Sequence, residues 1–550
     1  MSSTIFVPYS TAIQASWLND VNDTVYNALQ LADYTTLRTY IGPRKSVYVT
    51  GYLVTTAPSG IAGMFVPDPS DTISTDNGGT IIVATNGIRW KRQFDGSLNV
   101  KWFGAKGDGV TDDLAAINQA NAYVKLIHGS LEYPASVYLV SSAPNFSGTN
   151  NVEFIGRNAT IYCTGPGPVA KIDAGVYPAY NDNVNLLGTW IFKGNVTSTY
   201  GLYTRGHVRS QMGLLRVANV ASAAFRFEWS VLTKVDGLNC TNAMDVFTVN
   251  PINGIEIAAS GTAKSTANIY NNVTMEAPIS GKGIHVQAGD LNTFMSGSCE
   301  SVPTGITIAS GSIKNHFVSF DCEGNTGLDL DDSGQGTMYT NCAFSSVTAF
   351  NVILEPASSA IKFYGGYIGK IALNGTQTGP TLFSGVAFSD AAGITGSGYY
   401  TAHGCVKVNA AMQTTGEIDT GTFLPTIFGS TTPGTQTYSI QSGYYQRIGR
   451  TVHFQVSLSI TANSGGTGTA LLGPLPFTSL NVPNVQSEVV FSTNTGITFS
   501  STRNKLVANI SPNGSSAVLI ENQNGTSSQS LPISSIGVGT YTITGSYLSN

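Results

Sequence analysis

Apolar positions along this chain recur in short alternating runs rather than in helical stripes. Gly283-Ile284-His285-Val286, Gly305-Ile306-Thr307-Ile308 and Gly327-Leu328-Asp329-Leu330 repeat at intervals of 22 residues. Ala349-Phe350-Asn351-Val352 continues the register, and Gly254-Ile255-Glu256-Ile257 precedes it across a longer loop. Apolar side chains at every second position describe half-buried strands. A fixed period of this size describes a solenoid, here one coil of a three-sided parallel β-helix. A second register runs through the same coils. Asn268 to Glu276, Asn292 to Glu300 and Asn315 to Glu323 each span eight residues, with Met275, Cys299 and Cys322 just before the glutamates. Alternation turns Met275, Cys299 and Cys322 inward, with Cys342 extending their stack, and turns Glu276, Glu300 and Glu323 outward. Asp321, two residues before Glu323, shares the outward face.

The flanking patterns differ. Leu18, Val21, Val25 and Leu29 recur at three- and four-residue spacing and predict a short helix whose stripe is too narrow to bury itself alone. Val47-Tyr48-Val49 and Ile81-Ile82-Val83, parted by Pro- and Gly-containing turns, predict a small β domain ending near Gly96. Leu114, Ile117 and Val124 mark a second short helix. Ahead of it Gly107 and Gly109 allow a tight turn, Thr111 is placed to cap, and Asp112 and Asp113 suit the first turn. The solenoid pattern stops near Gly396-Ser397-Gly398. Beyond it Val452, Phe454, Val456, Leu458 and Ile460 alternate strictly with polar residues, which predicts a further β domain.

Composition narrows the class. Charged residues make up 11% of the 550, under half the usual share, and 61 are glycine. Long exposed helices are therefore excluded, and an all-β chain with polar, uncharged surfaces is favoured. A net charge of −5 without a basic run argues against a nucleic-acid partner. No apolar stretch is long enough to span a membrane, and the N-terminus shows no signal-peptide pattern. Six scattered cysteines without a CxxC pair read as buried thiols, not as a zinc site or a disulfide framework.

Trp102-Phe103-Gly104-Ala105-Lys106-Gly107-Asp108-Gly109-Val110-Thr111-Asp112-Asp113, running into an apolar helix, resembles the opening of the phage tailspikes of the pectate-lyase-like superfamily. Thr85-Asn86-Gly87-Ile88-Arg89-Trp90-Lys91-Arg92 looks like the end of a tailspike head domain, and the resemblance covers roughly residues 45–400. Gly443-Tyr444-Tyr445-Gln446-Arg447-Ile448-Gly449 and Gly473-Pro474-Leu475-Pro476-Phe477 look like the C-terminal β-sandwich of phage fibres and spikes. The resemblance implies an all-β chain: a virion-attachment segment (1–45), a small head (46–98), a right-handed parallel β-helix (99–400) and a C-terminal β-sandwich (401–550). The sandwich would hold three chains together and is a possible carbohydrate binder. The resemblance further implies a homotrimer on the phage tail, joined to a tail or baseplate protein through its N-terminus. At the host cell surface it would bind and depolymerise a capsular polysaccharide or O-antigen.

The outward glutamates carry the candidate chemistry. Strands of adjacent coils lie about 4.8 Å apart, so three stacked carboxylates repel one another, and no lysine or arginine shares their column. Crowding raises the pKa of one member, and glycoside hydrolysis needs such a protonated acid beside a second carboxylate. Glu300 and Glu323 are the expected acid and base or nucleophile, with Asp321 assisting. The other reading of the column is solvated surface acid. Glu276, Asp329, His285 and Arg226 are the expected substrate contacts, Asp329 standing in the column of His285. Tyr203 and Trp229 are candidates for stacking on sugar rings. No cofactor and no metal are expected. A lyase, with a cation held near Asp329-Leu330-Asp331-Asp332, and a non-enzymatic receptor-binding spike are the alternatives.

Overall fold

The computed structural model describes residues 29–550 except 44, 53–60, 149–150, 244–245, 347–349, 376–378, 390–393, 399, 408–417, 482–486, 501–502, 504, 523–527 and 550. The expected helix through Leu18, Val21 and Val25 lies outside the described residues, and Leu29 opens a strand. The chain divides into two compact units, Met1–Leu382 with Val386–Tyr399, and Phe383–Gly385 with Tyr400–Asn550. Among the described residues no helix is long and apolar enough to cross a membrane.

The first unit starts with a five-stranded sheet in the spatial order Leu29–Leu31, Val47–Val49, Gly63–Asp68, Arg89–Arg92, Ile81–Val83. Its first pair is parallel and the rest antiparallel. The head therefore reaches back past Ser46 and includes the helix Tyr34–Thr39, capped by Asp33, which accepts from the Thr36 N–H at 2.7 Å. Val47, Val49, Phe65, Ile82 and Trp90 form its core.

The turn before the second helix, Leu114–Ile127, is built differently from the expectation. Asp108–Asp112 is a strand, and Asp113, not Thr111, occupies the N-cap. The Asp113 carboxylate closes the glycine turn by accepting the N–H groups of Lys106 and Gly107 at 2.7 and 2.9 Å. Asp112 accepts from the Leu114 N–H, and the Thr111 hydroxyl donates to Asp108. The acids of this motif are therefore spent on backbone donors, and Ile117, Ala120 and Val124 are the buried face of the helix.

A parallel β-helix follows. One hydrogen-bonded sheet turns a corner in each coil at a left-handed residue, namely Asn272, Ser296 and Ser319 within their strands and Asn341 between Met338–Thr340 and Ala343–Phe344, and so supplies two faces. The separate parallel sheet through Asn253–Ala258, Lys282–Val286, Thr304–Ile308 and Leu328–Asp332 is the third. Inside, Tyr270, Phe294, Phe317, Tyr339 and Phe363 stack ring on ring with centroids 4.6–5.5 Å apart. Beside them a fully buried amide ladder runs along the axis. Asn268 Nδ2 donates to Asn292 Oδ1 at 2.8 Å, and Asn292 Nδ2 to Asn315 Oδ1 at 3.1 Å. The glycine that opens each repeat is required by close approach: a Cβ on Gly283 would lie 2.7 Å from the Gly305 carbonyl oxygen and 2.9 Å from Cys299 Sγ.

The predicted register holds from Ile255 through Ile284 to Ile306 and then slips by two. Ile306 pairs with Leu330, not Leu328, so Asp331 rather than Asp329 continues the His285 column. Asp329 instead takes the inward place of Gly283 and Gly305, fully buried. It accepts from Asn325 Nδ2 at 2.7 Å, Asn351 Nδ2 at 3.1 Å, and the Ser346 hydroxyl. The inward stack Met275, Cys299, Cys322 continues with Phe344, because Cys322 pairs with Phe344; Cys342, though buried, lies outside that column. All six cysteines are buried thiols.

Asp332 is also fully buried, accepting from the Gly334 N–H at 2.6 Å and the Tyr339 hydroxyl at 2.8 Å, and burial pushes its carboxyl up to about 6. A raised carboxyl pKa means that the native state keeps a proton which the unfolded chain loses. Its contribution therefore worsens as pH rises from near 4 and levels off above 6. Asp332→Asn is expected to match the wild-type melting temperature at pH 4. Its advantage should then grow towards pH 6, reaching on the order of 3 kcal/mol. Parallel melting curves between pH 4 and 7.5 check this, and a pH-independent difference would remove the titration from the account.

The second unit is built around an antiparallel ten-stranded sheet, nine strands hydrogen-bonding in one continuous order and Gln529–Ser530 pairing with Ala517–Asn522 off that path. Val452, Phe454, Val456, Leu458 and Ile460 point from the strand Thr451–Ser464 into a single core with Tyr541 and Ile543.

Candidate functional site

The outward glutamates stand at the ends of three successive strands, Glu276 and Glu300 as the last residues of theirs and Glu323 just past Cys322, where the helix turns from its second face towards its third. Met275 pairs with Cys299 and Glu276 with Glu300, while Ser298 pairs with Asp321. Met275, Cys299 and Cys322 are fully buried, so alternation sends the neighbouring acids outward. Glu300, Asp321 and Glu323 converge: one carboxylate oxygen from each lies within 4.8 Å of the others. Among the described residues no ion pair reaches these three or Glu276. Glu276 is engaged by hydroxyls, accepting from Thr241 Oγ1 at 2.7 Å and Ser298 Oγ at 3.1 Å. Partial burial, and then the negative charges of Glu276, Glu323 and Asp321, hold the Glu300 carboxyl above its usual range, against a lowering contribution from Ser298. The cluster thus offers one carboxyl biased towards protonation beside two exposed carboxylates. Its three converging oxygens could equally hold a cation.

The other expected contacts lie elsewhere. Asp329 is inside the helix and unavailable to any ligand. Arg226 and His285 belong to the third face. There the register aligns Tyr203, Arg226, Glu256, His285, Thr307 and Asp331 in one outward row, one residue per coil. Arg226 is paired with Glu256 at 2.6 Å and with Glu228 at 3.5 Å, and its guanidinium lies over the Tyr200 ring. The Tyr203 hydroxyl donates to Glu228 at 3.1 Å. Trp229 is buried edge-on against Tyr177 with ring centroids 4.8 Å apart, so it is packed rather than free to stack. His285 is half-buried with Lys282 Nζ 3.4 Å from Nε2, and burial followed by the Lys282 charge pushes it down to about 4. The ring is therefore neutral at physiological pH.

The sequence patterns single out Arg226, His285 and Tyr203 one at a time without uniting them in a row, and they leave out Glu228 and Glu256. The signal for the row is nevertheless present. Glu256 and His285 occupy the same place in Gly-Ile-x-Ile and Gly-Ile-x-Val, and Thr307 the same place one repeat later.

These features define a class, a chain that carries a small five-stranded β head ahead of a parallel β-helix. Residues 30–95 match the family described as the phage tail protein small four-stranded beta-sheet domain. Over 89 residues the chain is 37% identical to the Mu-like prophage FluMu defective tail fiber protein of Haemophilus influenzae. That match covers 16% of this chain and spans only 14% of the relative's length. Among solved structures the chain is similar to the tailspike protein of Acinetobacter baumannii phage AM24, with a TM-score of 0.47, 14% identity, and 99% of this chain and 97% of that one covered. It is also similar to the enzymatically active domain of tailspike protein 2 of bacteriophage CBA120, at 0.45 and 12%, covering 97% and 92%. A third is the tailspike of Acinetobacter baumannii bacteriophage Fri1, described as a capsular polysaccharide depolymerase, at 0.43 and 10%, covering 95% and 98%.

Proposed function

We propose that this chain is a phage tailspike that binds a bacterial capsule or O-antigen and depolymerises it by glycosidic hydrolysis. Glu300 and Glu323 serve as acid and as base or nucleophile, and Asp321 assists. One observation carries the reading: the convergence of Glu300, Asp321 and Glu323 within 4.8 Å on an outward corner, without a cationic partner among the described residues. Such crowding opposes packing stability, and it keeps a proton on one carboxyl, which is what protonating a leaving glycosidic oxygen requires. Direct attack by a second carboxylate needs the pair about 5 Å apart, whereas activating an intervening water needs roughly 6.5–9.5 Å. The observed closeness favours direct attack. Glu276, and Arg226 and His285 on the next face, border the path of a bound chain. The phage-tail β domain at residues 30–95 supports attachment to a virion through the N-terminal part, and the β-helix is taken to work as a homotrimer.

The second reading rests on the same convergence. Three carboxylate oxygens within 4.8 Å suit a divalent cation, and a cation neutralising a uronate carboxyl is what elimination chemistry needs. Purified protein is to be incubated with a panel of capsules and O-antigens, with and without a chelator, while reducing ends and the ultraviolet absorbance of unsaturated uronates are followed together. Hydrolysis gives reducing ends without the absorbance and is indifferent to the chelator. Both signals rising, and both lost with the chelator, would establish the lyase instead. A polymer retained intact would leave a receptor-binding spike.

A further inference from the structure

The outward row on the third face changes character along its length. At one end Tyr203, Arg226 and Glu256 satisfy one another and their neighbours Glu228 and Asn253. At the other end the hydrogen-bonding capacity is unfilled. Thr307 is only 7% exposed, yet its Oγ1 has no partner. A hydroxyl buried in this way is disfavoured unless something bonds to it. Asp331, aligned with Thr307 on the next coil, is half-buried, and no hydrogen bond or ion pair reaches it among the described residues. His285, aligned on the preceding coil, presents a neutral ring held between Lys282 and Gln287.

We propose that His285, Thr307 and Asp331 form a saccharide subsite that takes the hydroxyls of an uncharged sugar unit, separate from the carboxylate cluster. The proposal rests on the polysaccharide reading above, but not on which residues cleave. A lone carboxylate accepts from one sugar hydroxyl, and the covered Thr307 hydroxyl, turned outward about its Cα–Cβ bond, exchanges with the adjacent one. A cation is disfavoured by Lys282 beside His285. An acidic sugar is disfavoured by Asp331 and Glu355, whose mutual repulsion adds to the burial that already raises the Asp331 carboxyl. Spacing fits as well: a pyranose unit is comparable in length to the rise of one coil, about 4.8 Å. A unit lying along the axis therefore spans Thr307 and Asp331 on neighbouring coils, with His285 one coil further on.

Thr307→Val separates this role from packing, because it removes only the orphan hydroxyl. In full-length Glu300→Gln protein, used so that polymers stay intact, affinity is measured for an immobilised panel of purified capsular polysaccharides and O-antigens. Thr307→Val and Asp331→Asn should each weaken binding of the retained polymer roughly fivefold to tenfold. Thr307→Val should leave the melting temperature unchanged or higher. Unchanged affinity with a lowered melting temperature would show that the hydroxyl is bonded within the protein, and would overturn the subsite. Cleavage abolished by Glu300→Gln with binding indifferent to the row would overturn the subsite alone. Binding sensitive to Thr307→Val without any cleavage by wild-type protein would support the subsite and sink the hydrolase reading. Failure of wild-type protein to bind any polymer in the panel would overturn both.

Discussion

Glu300→Gln and Glu323→Gln are each expected to lower depolymerisation by about 10²- to 10⁴-fold, the range lost when a positioned acid or base is removed. Both variants should still bind the polymer. Both should also melt no lower than wild type, because each removes one charge from a crowded column without leaving a buried group unpaired. Glu276→Gln is expected to cost less, since its carboxylate is already engaged by Thr241 and Ser298. The pH profile sharpens the assignment. Partial burial and neighbouring negative charge raise the Glu300 carboxyl, so activity that needs its proton persists to higher pH than an ordinary carboxyl allows and declines once it ionises. In the Asp321→Asn variant one repelling charge is gone, and that declining limb should move to lower pH. A limb that stays in place would assign the titration to another group. Full activity in both Gln variants would clear the column of any part in the chemistry.

The second large effect concerns the interior. Asn292 accepts from the backbone N–H and the side-chain amide of Asn268, and its own amide donates to the Ser265 carbonyl and to Asn315. All four contacts are fully buried in protein. Asn292→Ala therefore strands several donors and acceptors at once, and the expected loss is on the order of 3–5 kcal/mol. The effect should appear as a lowered melting temperature and faster thermal inactivation, with the site on the outer corner disturbed only through loss of fold. A loss below about 1 kcal/mol would mean that water replaces the amide in the ladder.

Much of the solenoid is legible in the amino-acid sequence. Alternation and the Asn-to-Glu spacing place Met275, Cys299 and Cys322 inside and their glutamates outside, and the strand pairing agrees. The expected register fails at Gly327 for a physical reason. A slip of two residues preserves the in-and-out pattern of a strand, so hydropathy cannot distinguish Leu328 from Leu330 as the partner of Ile306. What decides it is polar. Asp329 is drawn inward by Asn325, Ser346 and Asn351, residues as far as 22 positions away, and no local pattern reports that network. The Thr111 cap fails similarly, because the acids behind it serve the glycine turn as well as the helix. The third-face row is hard to see in the sequence because its members are unlike one another in charge and size, and only their shared register unites them.

Among the described residues the strands of each coil pair only with those of adjacent coils, and the same glycine, ring and amide positions recur from coil to coil. Such an arrangement has no fixed length. Losing or gaining a whole coil leaves every remaining contact of the kinds described intact, whereas losing a few residues inside one breaks the ladder. The coil is thus the natural increment by which lineages of this protein could lengthen or shorten their reach, and alter the spacing between outer-surface groups, without devising a new core.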